Sequence, residues 1–294
     1  MSETDPNGAL TSVTYDSFGR FTSLSKPNNS TPTLTVSYQN SPFVVTLNQV
    51  VDATHTFTVT RYYDGLGRQY QTNTNGVLVD STFDAYGRAV TQSTPHTSGE
   101  TSYNTVTTFD ALGRPLTVTP PDGAATTTTY NGLTTTVTDA NNHSTTTIAD
   151  ILGRTLSVTP PTGPAVSFTY DALGNMLTAS RGGATVTLAY DTAGRKVSMN
   201  DPDMGNWSYS YDALGSMTSQ TDARNCTTNL TYDLLGRPLT KTYSNCASTP
   251  SVTYTYDQGT NGIGRKHSVS DASGLTVWNY DIRGRVTSEA KALS

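Results

Sequence analysis

Short stretches in which polar and apolar residues alternate follow one another along most of the chain. Residues 114–118 (RPLTV) and 154–158 (RTLSV) are typical of these stretches. A period of two residues, rich in Thr, Val and Tyr, is typical of half-buried β-strands. No segment has the Ala, Leu, Glu and Lys content of a stable helix. The pattern therefore predicts an all-β chain without a helical domain.

A six-residue phrase separates many of these stretches, and it occurs first as Tyr15-Asp16-Ser17-Phe18-Gly19-Arg20. Further copies, the penultimate one stretched, occupy residues 63–68, 83–88, 109–114, 149–154, 170–175, 190–195, 211–216, 232–237, 256–265 and 280–285. Apart from two wide gaps, the aromatic positions of successive copies are 20 to 26 residues apart. Tyr38 and Tyr130 lie in those gaps and mark two degenerate copies. A fixed period of this size predicts a single repeat array of about thirteen units over residues 1–294, with no separate catalytic domain.

Each phrase has the chemistry of a hairpin turn. An Asp at the first turn position can accept a hydrogen bond from the backbone two residues on. The Gly three residues later provides the positive φ of a type I turn with a G1 bulge. A second turn lies upstream of the aromatic residue, for example at Asp5, Asp139, Asp201, Asp222 and Asp271. In one degenerate copy Asn131-Gly132 predicts a tight turn instead.

Two turns per unit leave two strands, so each unit is predicted to be a β-hairpin and the chain to hold about 26 strands. Successive hairpins then form one long antiparallel sheet, which the right-handed twist of its strands will twist and curve. The structural signature of the repeat consists of Tyr15, Asp16, Gly19, Arg20, Tyr63, Asp64, Gly67, Arg68, Asp110, Gly113, Arg114, Tyr232, Asp233, Gly236 and Arg237.

The composition narrows the possible functions. Of the 294 residues, 34% are hydrophobic, 14% are charged and 56 are Thr. Thr suits a pleated surface and can hydrogen bond across strands, but such a chain cannot build a thick core. The net charge of −5 and the lack of a basic run argue against a nucleic-acid partner. The sequence has neither a signal peptide nor an apolar stretch of membrane length, so we expect no membrane insertion.

The phrase resembles the YD repeat, also called the RHS (rearrangement hotspot) repeat. Residues 232–237 (YDLLGR) are a typical copy, and the resemblance extends from Asp5 to Arg285. Known members of this family include large bacterial secreted or surface proteins, insecticidal toxin-complex subunits, polymorphic toxins and animal teneurins. The resemblance implies a strip that winds into a hollow shell around a C-terminal toxin domain or other polypeptide. It also implies a secreted or cell-surface location.

The family's self-cleavage module carries an Asp-Pro-x-Gly-Leu sequence, which this chain does not contain. The turns that begin at Asp5 and Asp201 are similar to it in spelling only. We therefore transfer no protease role to them.

The Arg that closes most copies has two possible roles. It could bind acidic sugars or an acidic cargo, or it could pair with a turn Asp and lie over an aromatic ring of a neighbouring repeat. We favour the structural role because the Arg recurs in most units and because Asn175 and Ser216 replace it in two copies. The row of Tyr residues could stack on sugars, but cross-strand ladders explain it more simply. Trp207 and Trp278 are better candidates for contact with a ligand.

The other residues with catalytic or ligating potential are scattered. The four histidines, His55, His96, His143 and His267, fall in different repeats without metal-ligand spacing. We expect them at solvated loop or strand positions, and we expect no metal site and no cofactor. The repeated Asp residues belong to turns, so the sequence predicts no catalytic residue.

Cys226 and Cys246 look like equivalent second-turn positions in neighbouring units. Equivalent positions one hairpin apart are about 9.6 Å distant, which exceeds the limit of about 7 Å between the Cα atoms of a disulfide. The longer loop at residues 243–250 could bend across this distance. A disulfide and two free thiols therefore both remain open.

We predict a non-enzymatic structural module, part of an RHS/YD-repeat shell that encloses a toxin or other passenger polypeptide. Its partners would be the rest of the parent protein and that passenger. The alternative is an extracellular adhesion or carbohydrate-binding surface, and a hydrolase has the least support. No capping unit is visible at either end, so we expect an excised piece of a longer protein. Its strand edges would then be open to self-association.

Overall fold

The computed structural model describes residues 2–27, 29, 31–246 and 249–293, and every helix or strand assigned within these ranges is a β-strand. The 28 strands pair in the antiparallel sense in one open sheet, which confirms the predicted all-β array of hairpins. The chain divides into two compact units, residues up to Thr145 and residues from Thr146 onward.

The first unit is a succession of short strands. They are β1 (Ser2–Thr4), β2 (Leu10–Tyr15), β3 (Phe21–Ser25), β4 (Leu34–Asn40), β5 (Phe43–Val50), β6 (Thr56–Tyr63), β7 (Gln69–Thr74), β8 (Val77–Phe83), β9 (Ala89–Ser93), β10 (His96–Thr97), β11 (Asn104–Phe109), β12 (Pro115–Thr119), β13 (Thr126–Asn131) and β14 (Thr134–Thr138). Strands adjacent in sequence pair with each other, except that the short strand β10 joins β8 while β9 pairs with β11.

The second unit continues in the same manner. Its strands are β15 (Ser144–Ala149), which crosses the boundary, β16 (Thr155–Thr159), β17 (Val166–Tyr170), β18 (Met176–Arg181), β19 (Ala184–Tyr190), β20 (Lys196–Asp201), β21 (Gly205–Tyr211), β22 (Met217–Thr221), β23 (Thr227–Tyr232), β24 (Pro238–Ser244), β25 (Val252–Tyr256), β26 (Lys266–Asp271), β27 (Gly274–Tyr280) and β28 (Val286–Leu293). Each of these strands pairs with the next one along the chain.

A β-bulge lies at the first position of every phrase, which is aromatic except in the copy that begins with Ala149. The pairing register shifts at Thr14/Tyr15, Tyr62/Tyr63, Thr82/Phe83, Thr108/Phe109, Ile148/Ala149, Thr169/Tyr170, Ala189/Tyr190, Ser210/Tyr211, Thr231/Tyr232, Thr255/Tyr256 and Asn279/Tyr280. The bulge is what a type I turn with a following left-handed Gly produces. The predicted turn is therefore the turn that forms in the ten regular copies, where the backbone N–H of the Gly also donates to the carbonyl oxygen of the Asp. In the stretched copy the backbone N–H of Asp257 donates to the carbonyl oxygen of Arg265 across a longer loop.

The two degenerate copies turn differently. The hairpin of Tyr38 turns through Ser41 and Pro42, because Asn40 pairs directly with Phe43. In the other copy Asn131 pairs with Thr134, so the central residues of the turn are Gly132 and Leu133. The prediction of a tight turn there was right, but its placement on Asn131-Gly132 was wrong by one residue. Gly132 has a φ of 58° at the first central position, as in a type II′ turn.

Two glycines in one turn offer a matched test of this geometry. Gly67 has a φ of 78°, Gly65 does not lie in the positive-φ region, and a Cβ at either would meet nothing within 4 Å. Gly67→Ala should therefore lower the free energy of unfolding by about 1–2 kcal/mol through backbone strain alone. Gly65→Ala should leave it unchanged or raise it by about 0.4–1 kcal/mol. Urea unfolding of the two variants checks this, and equal effects would contradict the turn assignment.

The sheet has almost no buried core. Among the described residues only Ala9 and Val44 are buried apolar residues, at 4% and 9% exposed. In several strands half-buried and exposed positions alternate, as in β21, where Trp207 and Tyr209 are half-buried and Ser208 is exposed. Hydroxyl pairs across strands recur at 2.6–2.7 Å in Thr14–Ser23, Thr82–Thr91, Thr108–Thr117, Thr169–Thr178 and Thr231–Thr240. The stability of the fold must then come mainly from backbone hydrogen bonds between strands and from side-chain contacts between repeats.

Candidate functional site: a clasp between successive repeats

The Asp of each phrase closes its own turn with its carboxylate. Oδ1 of Asp64 accepts the backbone N–H groups of Leu66 and Arg68, both at 2.9 Å. The backbone N–H of Asp64 donates to the carbonyl oxygen of Arg68 at 2.9 Å. The carboxylate bonds recur at Asp16, Asp84, Asp110, Asp150, Asp171, Asp191, Asp212, Asp233 and Asp281.

The Arg side chain binds the second oxygen of the same carboxylate. In the 63–68 copy Nε of Arg68 donates to Oδ2 of Asp64 at 2.7 Å. The same bond, at 2.6–2.7 Å, is made by Arg20, Arg88, Arg114, Arg154, Arg195, Arg237 and Arg285. Asn175 replaces it with an Nδ2 bond of 2.8 Å to Asp171. Ser216 carries no group of this length, so its turn keeps only the backbone bonds of Asp212.

These hydrogen bonds lower the pKa of the turn carboxylates. The backbone N–H of the Arg four residues later is the largest cause of the lowered pKa at Asp64, Asp110, Asp191, Asp233 and Asp281. Partial burial opposes this by raising the pKa, and the Arg side chain lowers it further. The side chain of Arg237 lowers the pKa of Asp257 to about 2. Structural ion pairs lower a pKa as catalytic sites do, and here the hydrogen bonds of the turns and of the Arg side chains are the causes.

The same Arg also reaches the following repeat. The guanidinium carbon of Arg195 lies 5.0 Å from the ring centroid of Tyr211, and its Nη1 donates to the carbonyl oxygen of Asp212 at 2.8 Å. Stacking at 4.0–5.7 Å recurs in Arg20–Tyr38, Arg68–Phe83, Arg88–Phe109, Arg114–Tyr130, Arg154–Tyr170, Arg237–Tyr256 and Arg265–Tyr280. Cation–π stacking and the carbonyl bond together join one turn to the next.

Where the stacked ring is Tyr, its hydroxyl completes the link. Tyr211 donates to the carbonyl oxygen of Lys196, the residue after Arg195, at 2.8 Å. The equivalent bonds run from Tyr38 to Phe21, Tyr130 to Pro115, Tyr170 to Thr155, Tyr256 to Pro238 and Tyr280 to Lys266. Tyr232 makes the same bond to Met217 without a stacked Arg, because the preceding copy ends in Ser216. We call this arrangement, exemplified by Asp191, Arg195 and Tyr211, the inter-repeat clasp. The sequence indicated the Arg contacts as one possibility, but it gave no signal for the hydroxyl bond.

Two tyrosines on strand β21 allow the hydroxyl bond to be measured. Tyr211→Phe removes the bond to Lys196 and keeps the ring over Arg195, so it should lower the free energy of unfolding by about 0.5–1.5 kcal/mol. Tyr209 is the matched control, because its ring contacts the ammonium of Lys196 and no described bond involves its hydroxyl. Tyr209→Phe should be nearly neutral in the same urea titration. Equal losses in both variants would mean that the hydroxyl adds nothing to the clasp.

The two tryptophans lie apart. Trp207 is on β21 and donates its ring N–H to the carbonyl oxygen of Met204 at 3.0 Å. An open groove of about 520 Å³ lies beside it, lined also by Asn200, Asn206 and Asn225. Trp278, on β27, stacks with the ammonium of Lys266 at 4.4 Å. A shared ligand site is therefore not formed by the pair, and the groove lies beside Trp207.

The structure joins Cys226 and Cys246 in a disulfide, with their Cα atoms 4.7 Å apart. The expected separation of about 9.6 Å was wrong, because the two cysteines are not equivalent positions one hairpin apart. Cys226 precedes β23 and Cys246 follows β24, and the last backbone pair of this hairpin is Thr227 with Ser244. The disulfide thus closes the open end of a single hairpin, where its cysteines flank two neighbouring strands.

The histidines differ in their surroundings. His55 and His143 have side chains that are 74% and 62% exposed, as expected of solvated positions. His96 was expected to be solvated too, but its side chain is only 10% exposed. The Nδ1 atom of His267 is also buried. A loop that folds back onto β8 buries His96, and sequence spacing does not reveal such a fold.

His96 lies within a Ser-His-Asp group that the sequence analysis missed. Its Nε2 is 3.2 Å from Oδ2 of Asp80, and its Nδ1 is 3.5 Å from Oγ of Ser93. However, Nδ1 is closer to the carbonyl oxygen of Thr94, at 3.1 Å. Ser93 is 5% exposed and accepts the backbone N–H of Asp80 at 2.8 Å. These contacts fasten β10 against β8 and give the serine hydroxyl no route to a substrate.

The described part of the chain contains no cluster of His, Cys, Asp and Glu that could hold a metal ion. Within the same residues, no helix is long and apolar enough to cross a membrane.

Comparison with known proteins identifies relatives of the fold. A family model described as the teneurin YD-shell matches residues 131–275. No curated protein matches the chain. A crystal structure of TcdB2-TccC3-TEV is similar over 100% of this chain and 23% of its own, with a TM-score of 0.81 and 13% identity. TcdB2-TccC3 without its hypervariable C-terminal region gives a TM-score of 0.82 at 13% identity, over 100% of this chain and 22% of its own.

A third structure, the Photorhabdus luminescens Tc holotoxin pore, is similar over 95% of this chain and 19% of its own, with a TM-score of 0.51 and 12% identity. The chain therefore spans less than a quarter of the length of each of these solved chains. At such low identity the likeness establishes the fold alone.

Proposed function

Because this chain is a YD-repeat (RHS-repeat) protein, we propose that it is a non-enzymatic structural module in the wall of a shell around a passenger polypeptide. The observation that carries the proposal is the inter-repeat clasp. Its Asp, Arg and Tyr side chains are the most regularly repeated polar groups of the chain, and they bind one another or the backbone. Because these side chains already bind one another or the backbone within the sheet, their role is to stabilise the wall rather than to bind a substrate.

The passenger would be a toxin or another polypeptide, as in the known members that the sequence resembles. The hydroxyl pairs support this assignment, since the Thr side chains of Thr82–Thr91, Thr108–Thr117 and Thr169–Thr178 are already hydrogen bonded across strands and serve the sheet itself. The match of residues 131–275 to the family model described as the teneurin YD-shell supports a place in such a wall.

The chain would act outside the cytosol, in a secreted or cell-surface protein. The disulfide between Cys226 and Cys246 supports this location, because disulfides persist in oxidising compartments and are rare in the cytosol.

Its first partner would be the rest of a parent repeat protein, joined through strand edges. Strand β28 is exposed along all eight residues, and β27 is its only described pairing partner. The remaining backbone edge of β28 can extend the ladder by one more strand. Head-to-tail pairing of this kind would also let isolated copies associate.

Limited proteolysis of the full-length parent tests the proposal. The passenger should be protected in the wild-type protein, and Arg195→Ala together with Tyr211→Ala should open the wall and speed its cleavage. Tyr209→Phe is the control that should keep the protection. A passenger that is cleaved in the wild-type parent as fast as on its own would refute the enclosing role.

The alternative is an adhesion surface that binds carbohydrate, which the groove beside Trp207 favours. Its amide side chains and indole are the groups that usually contact sugars. A glycan array probed with wild-type protein and with Asn206→Ala distinguishes the two. Saturable binding that the substitution abolishes would support adhesion, and no binding would leave the wall as the function.

A further inference from the structure

The disulfide between Cys226 and Cys246 lies at the surface of the second unit. Both cysteines are half-buried, and they line an open pocket of about 270 Å³. The other residues of its lining, Arg224, Asn245 and Thr249, are exposed. Exposed disulfides are the ones that thiols reduce most readily, and they are often regulatory rather than structural. The bond therefore lies where a small thiol can reach it.

Strand β24, which precedes Cys246, extends past the strand that follows it. Within the described residues β24 pairs with β25 only at Thr240 and Lys241, and residues 242–244 pair with β23 alone. In the corresponding pairs β3–β4, β12–β13 and β16–β17, the earlier strand continues for only one residue past the last pair. The end of β24 is therefore an edge, and the disulfide fastens it to the array.

The outer end of β23 is held better than that of β24. Oγ1 of Thr227 is 2.8 Å from Oγ1 of Thr221, so a side-chain hydrogen bond joins β23 to the strand before it. At the end of β24, Nδ2 of Asn229 donates to Oγ of Ser244 at 3.4 Å, which is long for a hydrogen bond. Breaking the disulfide would therefore leave β23 in place, and residues 242–244 would be held by their ladder with β23 and by this long bond.

The reduced state would need no rearrangement at the cysteines. Sγ of Cys246 is 3.2 Å from the carbonyl oxygen of Ser244 and 3.9 Å from that of Thr227, so a thiol at this position has acceptors for its weak S–H donor. The backbone N–H of Cys226 donates to Oδ1 of Asp222 at 3.0 Å, a contact that does not involve the sulfur. The bond can therefore open and close again within the same fold.

The charge beside the disulfide favours an anionic thiol. Nε and Nη2 of Arg224 donate to Oδ2 of Asp222 at 3.0 and 2.6 Å, and the arginine side chain is 82% exposed. A guanidinium has five N–H donors, of which these bonds use two. The other donors can bind a carboxylate of the incoming thiol while its sulfur approaches the disulfide. Glutathione carries both groups in one small molecule.

We propose that the Cys226–Cys246 disulfide is a thiol-exchange site, a redox switch that a small anionic thiol such as glutathione opens in the folded protein. The thiolate sulfur of one glutathione bonds to Sγ of one cysteine, the disulfide breaks, and the other cysteine leaves as a thiolate that takes up a proton. A second glutathione thiolate displaces the remaining cysteine, which is protonated in turn. Two glutathione molecules are thereby oxidised to their disulfide, and the protein gains two thiols.

The switch would respond to the compartment of the protein. It stays closed where disulfides persist, outside the cytosol, and opens in the reducing pool of glutathione inside a cell. Opening loosens the end of β24 and leaves the rest of the array folded. The proposal goes beyond the role of a wall and does not depend on whether the wall encloses a passenger.

Reduction of the folded protein tests the proposal with the complete chain. Oxidised protein is mixed with reduced glutathione at neutral pH, and acid-quenched samples are analysed by mass spectrometry. The adduct with one glutathione and then the protein with two thiols should form, at a rate nearly independent of urea below the unfolding transition. If the bond opened only through global unfolding, the rate would rise at least about fivefold per molar urea, and that result would overturn the proposal.

A pair of variants tests the class of thiol. Arg224→Gln should slow opening by glutathione severalfold and should leave opening by neutral mercaptoethanol nearly unchanged. Arg61→Gln, the same change of charge in the first unit, is the matched control and should affect neither reaction. Both arginines are exposed, so circular dichroism of the variants should match that of wild type. Equal effects of Arg224→Gln on both thiols would contradict the preference for an anionic thiol.

Amide hydrogen exchange locates the opening. After reduction by glutathione, exchange at residues 242–244 should rise at least about tenfold, within the loss of constraint that a closed loop of this length allows. Exchange at residues 239–241, which lie at the pairs with β25, should rise less. An equal rise in β17 and β18 would mean that reduction loosens the whole unit, and no rise at residues 242–244 would mean that the disulfide controls nothing there. Either result would overturn the switch.

Discussion

Acid should unfold the repeat array between pH about 4 and pH about 2, since its turn carboxylates titrate at lower pH in the folded chain than the value of about 3.9 for an unfolded Asp. The pKa is lowered at Asp64, Asp110, Asp191 and Asp233 by the Arg backbone N–H first, and the Arg side chain adds to it. At Asp257 the Arg237 side chain lowers the pKa to about 2. The unfolded chain therefore binds more protons in this interval.

The sign of the effect follows from linkage. A group whose pKa is depressed by folding stabilises the fold fully above its unfolded pKa, and the stabilisation is lost as the pH falls through its folded pKa. Every turn that contains such an Asp contributes in the same direction. The loss is therefore collective, and the fold should be stable at pH 5 and cooperatively lost on further acidification.

Far-ultraviolet circular dichroism against pH measures this transition. Asp191→Asn is the matched variant, because an amide oxygen can still accept the backbone bonds of the turn but cannot titrate. Asp191→Asn should be less stable than wild type at pH 7. Below pH 4 its stability should fall less steeply with pH, because this variant takes up at most one proton fewer on unfolding. An unchanged spectrum at pH 2, or a transition centred above pH 5, would contradict the assignment to the Asp residues.

The turns could be predicted because their chemistry is local. Asp at the first position, Gly three residues later and alternation in the flanking strands act within a few residues, and neighbouring units repeat them. The degenerate copy at Tyr130 shows the limit, since Gly132 and Leu133, rather than Asn131 and Gly132, form the centre of its turn. Local preference located the reversal, and the strand register decided which residues lie at its centre.

Contacts between repeats were only partly predictable. The Arg–aromatic stacking follows from chemistry that repeats with the units, but the bond from Tyr211 to the carbonyl of Lys196 depends on how far one hairpin is shifted along the next. Burial of His96 depends on the loop that brings β10 back to β8. Neither the shift nor the loop path is encoded in a short pattern, so no sequence signal indicates these contacts.

Loss of the Cys226–Cys246 disulfide should lower the free energy of unfolding by about 3 kcal/mol. The bond links residues 20 positions apart, and a closed loop of this length restricts the unfolded chain by roughly that amount. The folded hairpin should survive, because Thr227 and Ser244 still pair beside the missing bond. The copy that precedes this hairpin, residues 211–216, ends in Ser216 instead of Arg. Tyr232 therefore has no stacked Arg, and its hydroxyl bond to the carbonyl oxygen of Met217 is what remains of the clasp there.

Because the clasp lacks its Arg at this hairpin, we expect the loss of stability to be largest there. In a repeat array each unit is supported by its neighbours, so amide hydrogen exchange should rise most in β23 and β24 and least in strands such as β17 and β18. Urea unfolding and exchange should be compared for wild type with and without a phosphine reductant and for Cys226→Ser with Cys246→Ser. The reductant should reproduce the double variant and have no effect on it. If both cysteines can be replaced without a change in unfolding or exchange, the hairpin is held by its ladder and the Tyr232 bond alone, and the disulfide adds no stability.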